Sequence, residues 1–355
     1  MQIVNSIVPI IFVITLASCA SSPRTDTVSN DSEKASAQVD DSTLSDEAIP
    51  RPEDINSTAE ESPGLKTSGP GKAAETPAIP SAKDQALAIK LCKEIGSKLG
   101  SVSIDDCLRQ QLIHSALSIQ GRSLAYRDFP PLASRKPLGN VLVIGGIHGD
   151  EFSSVSVLFK WMNILNQHHS GLFHWRFIPT LNPDGLLRKK SQRQNHNGVD
   201  LNRNFPTTDW DEEALTHWRT TTHSNPRRHP GTGPASEPEI KWLVSQIAEF
   251  EPDVIISIHA PYHLVDYDGP PSAPDKLGSL YLRDLGVFPG SLGNYAGLDL
   301  NVPIVTVELK SAGIMPSKHE INSMWSDLVR WLRDQLTAEL VDYEHGDDSE
   351  ISLGQ

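Results

Sequence analysis

The sequence predicts an α/β protein: a mixed, mostly parallel central sheet with helices on both faces. Three runs carry that expectation, Val141–Ile144, Asp253–Ile258 and Ile304–Leu309. Each is rich in β-branched residues and largely apolar at successive positions, the pattern of a strand covered on both sides. Segments of helical spacing lie between them, and strands that alternate with helices imply a parallel sheet with crossover connections.

In chain order, Ile3–Leu16 is almost wholly apolar but too short for a lasting membrane span. It ends in Leu16-Ala-Ser-Cys19, which resembles the bacterial lipobox although no Lys or Arg precedes the apolar run. Residues 1–19 are thus expected to be a lipoprotein signal peptide with Cys19 lipidated; an ordinary secretory signal is the alternative. Ala20 stands where an Asp would signal retention at the inner membrane. The expected location is therefore exported and lipid-anchored, at the outer membrane facing the periplasm. Residues 20–81 are rich in Ser, Thr, Pro, Asp, Glu and Ala and cannot offset their chain entropy by burial, so they read as a disordered tether.

A small extension over residues 82–114 follows. Gln85–Lys98 reads as a helix with Leu87, Leu91 and Ile95 at four-residue spacing, and Ile104–Ile119 as a less regular helical or mixed segment. The chain has three cysteines. With Cys19 lipidated and export making disulfides permissible, Cys92 and Cys107 are expected to pair. Such a bond closes a loop of about 15 residues.

Residues 115–338 form the expected main domain. Val141–Ile144 is a strand, Gly145 and Gly146 end it, and Val155, Leu158, Phe159, Met162 and Leu165 mark the helix that follows. His148 and Glu151 fall in the turn between the two, where open α/β sheets bind ligands. A His and a Glu at that spacing can share a metal ion, and Gly149 allows a tight turn. Trp175–Leu181 is a further strand, ended by a turn at Asn182-Pro-Asp-Gly185. Ser236 and Glu239 have capping-box spacing at the head of a helix running to Phe250, and so have Ser317 and Glu320 before a closing helix that runs to Ala338. His259 follows the strand Asp253–Ile258, and Glu308 lies near the end of the last strand. Residues 207–233 and 270–289 read as long loops, with His217, His223 and His229 as loop residues rather than ligands. Residues 339–355 read as an acidic disordered tail.

Acidic residues outnumber basic ones, 45 to 31, for a formal net charge of −14. That balance argues against non-specific nucleic-acid binding, which needs a cationic surface. The membrane enters only through the N-terminal lipid, and oligomeric state is not legible.

Taken together, His148-Gly-Asp-Glu151, Asn182-Pro-Asp-Gly185, Gly198-Val-Asp-Leu-Asn-Arg-Asn204, Ser257-Ile-His259 and Val307-Glu308-Leu309 resemble the zinc metallocarboxypeptidases, the carboxypeptidase A-like family. The His259-Ala-Pro261 step and Pro289–Gly297 look most like its bacterial murein peptide amidase branch. The resemblance covers residues 115 to 336. It implies one Zn²⁺ held by His148, Glu151 and His259, with Glu308 as general base toward a zinc-activated water. It also implies Arg193 polarising the scissile carbonyl, and Asn202 and Arg203 gripping the substrate carboxylate, a task suited to the planar guanidinium fork. The family's substrate-capping tyrosine would fall near Leu285, which cannot donate a hydrogen bond; Tyr262, Tyr267, Tyr281 and Tyr295 are the alternatives.

The expected activity is zinc-dependent hydrolysis of murein peptides at the γ-D-glutamyl–meso-diaminopimelate bond. Three other readings stay open: a general carboxypeptidase releasing C-terminal L-residues, an aspartoacylase-like deacylase, and a lipoprotein that binds wall peptides without cutting them.

Overall fold

The computed structural model describes residues 81–134, 136–270 and 272–347, with side chains described as far as residue 337. The signal, Cys19, the tether and the end of the tail lie outside the described residues.

Helices α1 (Ala82–Lys98) and α2 (Ile104–Leu108) come first, then strands β1 (Ile113–Leu117), β2 (Ser123–Phe129) and β3 (Asn140–Ile144). Next are α3 (Phe152–His168), β4 (His174–Ile178), α4 (Pro183–Leu187), α5 (Leu215–Thr220), α6 (Pro238–Phe250) and β5 (Val254–His259). The chain closes with β6 (Leu264–Asp268), a short β7 (Lys276–Leu277) and β8 (Leu280–Tyr281), then β9 (Ile304–Glu308) and α7 (Lys318–Asp347).

The sheet has seven strands in the order β1-β2-β4-β3-β5-β9-β6. Its centre, β4-β3-β5-β9, is parallel, and antiparallel strands flank it: β2 and β1 on one side, β6 on the other. Because alternate side chains of a strand point to opposite faces, the central strands feed two cores. Val141, Val143, Val254, Ile256, Ile258, Val305 and Val307 pack with α1, α3 and α7. Leu142, Ile144, Ile255 and Ile304 pack with Ile240, Leu243 and Ile247 of α6. On that second face the pattern turns polar toward the strand ends: Ile255 gives way to Ser257 and His259, and Ile304 to Thr306 and Glu308. The cleft opens there.

Several boundaries differ from the sequence reading. Strand β1 starts at Ile113, inside the expected 82–114 extension, and Leu91, Cys92, Ile95 and Cys107 belong to the α3–α7 core. That region is thus part of the main packing, with Cys92 and Cys107 joined by a disulfide across α1 and α2. Asn182-Pro-Asp-Gly185 is not a free turn. Asn182 caps α4, its Oδ1 accepting from Gly185 N at 2.8 Å.

The expected box at Ser236 does not form. Pro238 occupies the first turn, which moves the cap to Glu237, and Ser236 donates to the Glu237 carboxylate instead. At Ser317 both reciprocal bonds with Glu320 are present. Helix α7 runs on past Ala338 to Asp347, into the expected tail. Residues 207–233 contain α5 and a π-helical turn at Trp210–Ala214 rather than a structureless loop.

Candidate functional site: a metal centre at the strand ends

The turn from β3 to α3 is held from outside by close packing. A side chain at Gly149 would place its Cβ 2.3 Å from the backbone carbon of Gly185, so only glycine lets the turn lie against α4. Asn182 closes the arrangement, donating from Nδ2 to Arg193 O at 3.0 Å and Ile147 O at 3.3 Å. One side chain thereby ties together the segments that carry His148 and Arg193. Parallel register sets His259 directly opposite Glu308 on β5 and β9.

His148, Glu151 and His259 are all buried, and their ligand atoms lie within 4.8 Å of one another. His148 Nδ1 is 2.7 Å from Glu151 Oε1 and 3.2 Å from His259 Nδ1, which is itself 3.2 Å from Glu151 Oε2. The outer nitrogens have partners of their own. His148 Nε2 lies 3.2 Å from Asp200 Oδ1 and His259 Nε2 lies 2.9 Å from Ser257 Oγ. Both His148 nitrogens face carboxylates, which can only accept; with a cation between Nδ1 and Glu151, the ring proton sits on Nε2, where Asp200 accepts it.

Lone pairs from two rings and a carboxylate then converge on one point. Uncompensated, that arrangement is costly in a buried site, and a cation resolves it. Ligand atoms about 2.1 Å from a tetrahedral zinc stand roughly 3.4 Å apart, close to the spacing seen, and two His with one carboxylate leave a fourth position open. The residues present fit the ion.

The charges agree with this geometry. Burial alone would raise the Glu151 carboxyl, but His148 and His259 outweigh it and hold it well below the usual range. Asp200, fully buried, would likewise be raised by burial, yet Arg193 and His148 keep it well below. Glu308 goes the other way: burial lifts it, His259 opposes, and Glu151 adds to the rise. Its Oε2 accepts from Tyr262 N at 3.3 Å.

A cleft of about 470 Å³ runs from this centre, lined among others by Arg193, Asn202, Arg203, Tyr262, Leu285 and Glu308. Arg193 donates from Nε to Asp200 Oδ2 at 2.9 Å and brings Nη1 within 3.2 Å of His148 Nδ1. Arg203 lies over the Phe288 ring at 4.4 Å, and burial depresses it to about 10. Asn202 Oδ1 accepts from Leu292 N at 2.8 Å.

Of the four tyrosines weighed from the sequence, Tyr262 lines the cleft, with Leu285 also in its wall. Tyr267 instead donates to Pro270 O, Tyr295 stacks on Phe205, and Tyr281 is exposed on β8. His217 packs on Phe288 and His229 on Trp218, and neither joins the metal group. Both long loops reach the cleft, through Arg227 and Arg228 of one and Leu285 and Phe288 of the other.

The sequence reading assigned no part to Asp200 or Ser257. Each stood inside a quoted motif, and the two-residue step from Ser257 to His259 already put both side chains on one face of a strand.

Residues 109–270 match the family model described as zinc carboxypeptidase. Murein peptide amidase A of Escherichia coli K12 is 30% identical over 229 residues, covering 61% of this chain and 89% of that protein. The chain belongs to the zinc carboxypeptidase family. It is a zinc metallopeptidase acting on peptides. The enzyme of the same name from Vibrio campbellii is 31% identical over 212 residues, 57% of this chain and 81% of that one. In fold the chain is similar to carboxypeptidase A from Helicoverpa armigera, with a TM-score of 0.50 at 16% identity over 71% of each chain.

Proposed function

We propose that this metallopeptidase hydrolyses murein peptides at the bond between γ-D-glutamate and meso-diaminopimelate. One observation carries the reading: the His-Glu-His centre and its facing Glu308 occur in a chain similar to murein peptide amidase A across 89% of that protein's length.

When bound, zinc supplies Lewis-acid chemistry, acidifying water and polarising a carbonyl. His148, Glu151 and His259 would hold it. Glu308 takes the proton of the attacking water as oxygen adds to the γ-carbonyl carbon. It then hands the proton to the diaminopimelate nitrogen as the C–N bond breaks. Burial favours this role because a carboxylate lifted above its usual range is a better proton acceptor. Arg193 reaches over the metal site from its anchor on Asp200, placed to stabilise negative charge on the carbonyl oxygen. Arg203 and Asn202 take the carboxylate of the departing residue. Purified full-length protein with zinc should release diaminopimelate from L-alanyl-γ-D-glutamyl-meso-diaminopimelate; no release at micromolar enzyme removes this substrate.

The protein is also proposed to be exported and held by lipid on Cys19, at an outer membrane facing the periplasm. Support comes from the apolar run Ile3–Leu16 before Leu16-Ala-Ser-Cys19. Labelled palmitate should enter the wild type and not Cys19→Ser; equal labelling of both excludes the anchor.

A further inference from the structure

The segment between α5 and α6 lays a second guanidinium along the cleft. Pro226–Arg228 forms a single 3₁₀ turn capped by Asn225, whose side chain accepts from Arg227 N at 3.0 Å. That turn is fastened to the metal-site segments on both sides of Arg228. Arg227 donates from Nη2 to Asp150 Oδ2 at 2.8 Å, next to Glu151 in the chain, and Asp200 N donates to His229 O at 2.8 Å. Gln194, the neighbour of Arg193, donates from Nε2 to Pro226 O at 2.9 Å. The backbone of Arg228 is thereby held in place, and its side chain lines the same cleft as Arg203.

Arg228 is half-buried, and among the described residues its side chain makes no hydrogen bond and no salt bridge. The carboxylates tied to this turn are already engaged, Asp150 by Arg227 and Asp200 by Arg193 and His148. Neither is spare for Arg228. The fold has built a rigid mount for a cation and given it no partner.

Arg203 supplies an independent observation. It is only 6% exposed, makes no salt bridge among the described residues, and leaves Nε without a hydrogen-bond partner. Burial pushes it down to about 10; Asp200 pulls the other way, while Arg193 and Arg228 add to the fall. Arg228 thus stands close enough for the two guanidiniums to repel. After burial, the same two cations lower His217, which packs on the Phe288 ring that also carries Arg203. Two cations held near each other, one of them shut away from water, stay unfavourable until negative charge reaches them. One carboxylate answers one of them, and a peptide bearing two carboxylates answers both.

We infer that Arg228 binds a second carboxylate of the peptide while Arg203 holds the first. The inference rests on the reading above that Arg203 faces the substrate carboxylate. A guanidinium suits the task because its planar fork offers two parallel hydrogen bonds to a carboxylate. The enzyme is then selective for peptides that carry two carboxylates near the cleaved bond over those that carry one. In the proposed substrate the second group has two sources: the far carboxylate of diaminopimelate, and the α-carboxylate that a γ-linked glutamate leaves free.

The test uses the full-length zinc-loaded chain. Calorimetry compares pimelate with heptanoate, which has the same carbon chain but lacks the second carboxylate. Cleavage assays measure kcat/KM for γ-D-glutamyl-meso-diaminopimelate against two partners. One is γ-D-glutamyl-L-lysine, without the far carboxylate, and the other is the glutamate α-amide of the same peptide. Pimelate should bind at least tenfold tighter than heptanoate, and at least one peptide pair should show a preference of the same size. Arg228→Gln should bring the pimelate ratio close to one and leave heptanoate binding within about threefold of wild type. The peptide pair whose preference collapses in that variant names the source of the second carboxylate.

A wild-type pimelate ratio near one overturns the inference. So does a ratio that Arg228→Gln leaves unchanged, because the second carboxylate is then held elsewhere, at the zinc or at Arg193. Peptides that are cut with no preference in either pair overturn it as well. Should Arg228→Gln fail to fold, Arg228→Ala serves the same test. If none of the γ-glutamyl peptides is cut, the murein reading fails alone, and the pimelate-to-heptanoate ratio still scores the inference.

Discussion

Around the metal centre each ligand side chain is fastened: His148 by Asp200, His259 by Ser257, and Glu151 by the backbone N–H of Ala260 at 3.3 Å. Along β6 the same cleft is walled by carboxylates of which Asp266 accepts from the backbone N–H of Leu285 and of Tyr267, while Asp268 has no donor among the described residues. The first region spends its hydrogen bonds on geometry, because a metal tolerates ligands only within a few tenths of an ångström. The second leaves charge unanswered, which costs stability in the free protein.

A region serving neither end gives the control for that contrast. Removing the disulfide in Cys92→Ala/Cys107→Ala opens a 15-residue separation and should lower stability by about 3 kcal/mol. Denaturant unfolding should show the loss, while kcat/KM of the folded variant stays within about twofold of wild type. A large fall in kcat/KM at full folding would mean that the α1–α2 clip also shapes the cleft.

Asp200→Asn tests whether the metal end is as over-determined as its contacts suggest. Zinc affinity, read by competition with a chelator, should fall about 10- to 100-fold. Unchanged affinity would show that Asp200 positions nothing.

The smallest expected effect comes from Glu239, which is fully buried behind the site and accepts from Asn195 Nδ2 at 3.2 Å. Burial raises it to about 7 from the ordinary 4.5. Between those values the folded protein holds a proton that the unfolded chain has lost, so its contribution falls as pH rises through that window. Glu239→Gln stays neutral throughout. Its melting temperature relative to wild type should therefore climb by a few degrees from pH 5 to pH 8, and a flat difference would refute the assignment.

The two regions also differed in how far the sequence disclosed them. Strands β3, β5 and β9 stood out because central parallel strands are covered on both faces and so are written in unbroken aliphatic residues. Glycines and a change of period marked the turn bearing His148 and Glu151. Strands β1, β2 and β6 escaped notice because flanking antiparallel strands are half polar: Leu264-Val-Asp-Tyr-Asp268 has only two aliphatic residues. Missing β6 hid the acidic wall, since nothing local to Asp266 or Asp268 says that they face the metal site. Only pairing with β9 brings them there. The failed cap at Ser236 has a local cause, the pull of Pro238 toward the first helical position.

The central claim is that Glu308 moves the proton at a metal held by His148, Glu151 and His259. Glu308→Gln keeps the shape and leaves the ligands untouched, so its zinc content and single-turnover rate together test that claim most directly. Both proteins should hold one zinc per chain, and the rate on the murein tripeptide should be lower by about 10²–10⁴-fold in the variant. A variant that keeps more than about a tenth of the wild-type rate, or a wild type that cuts the peptide with no zinc bound, would contradict it.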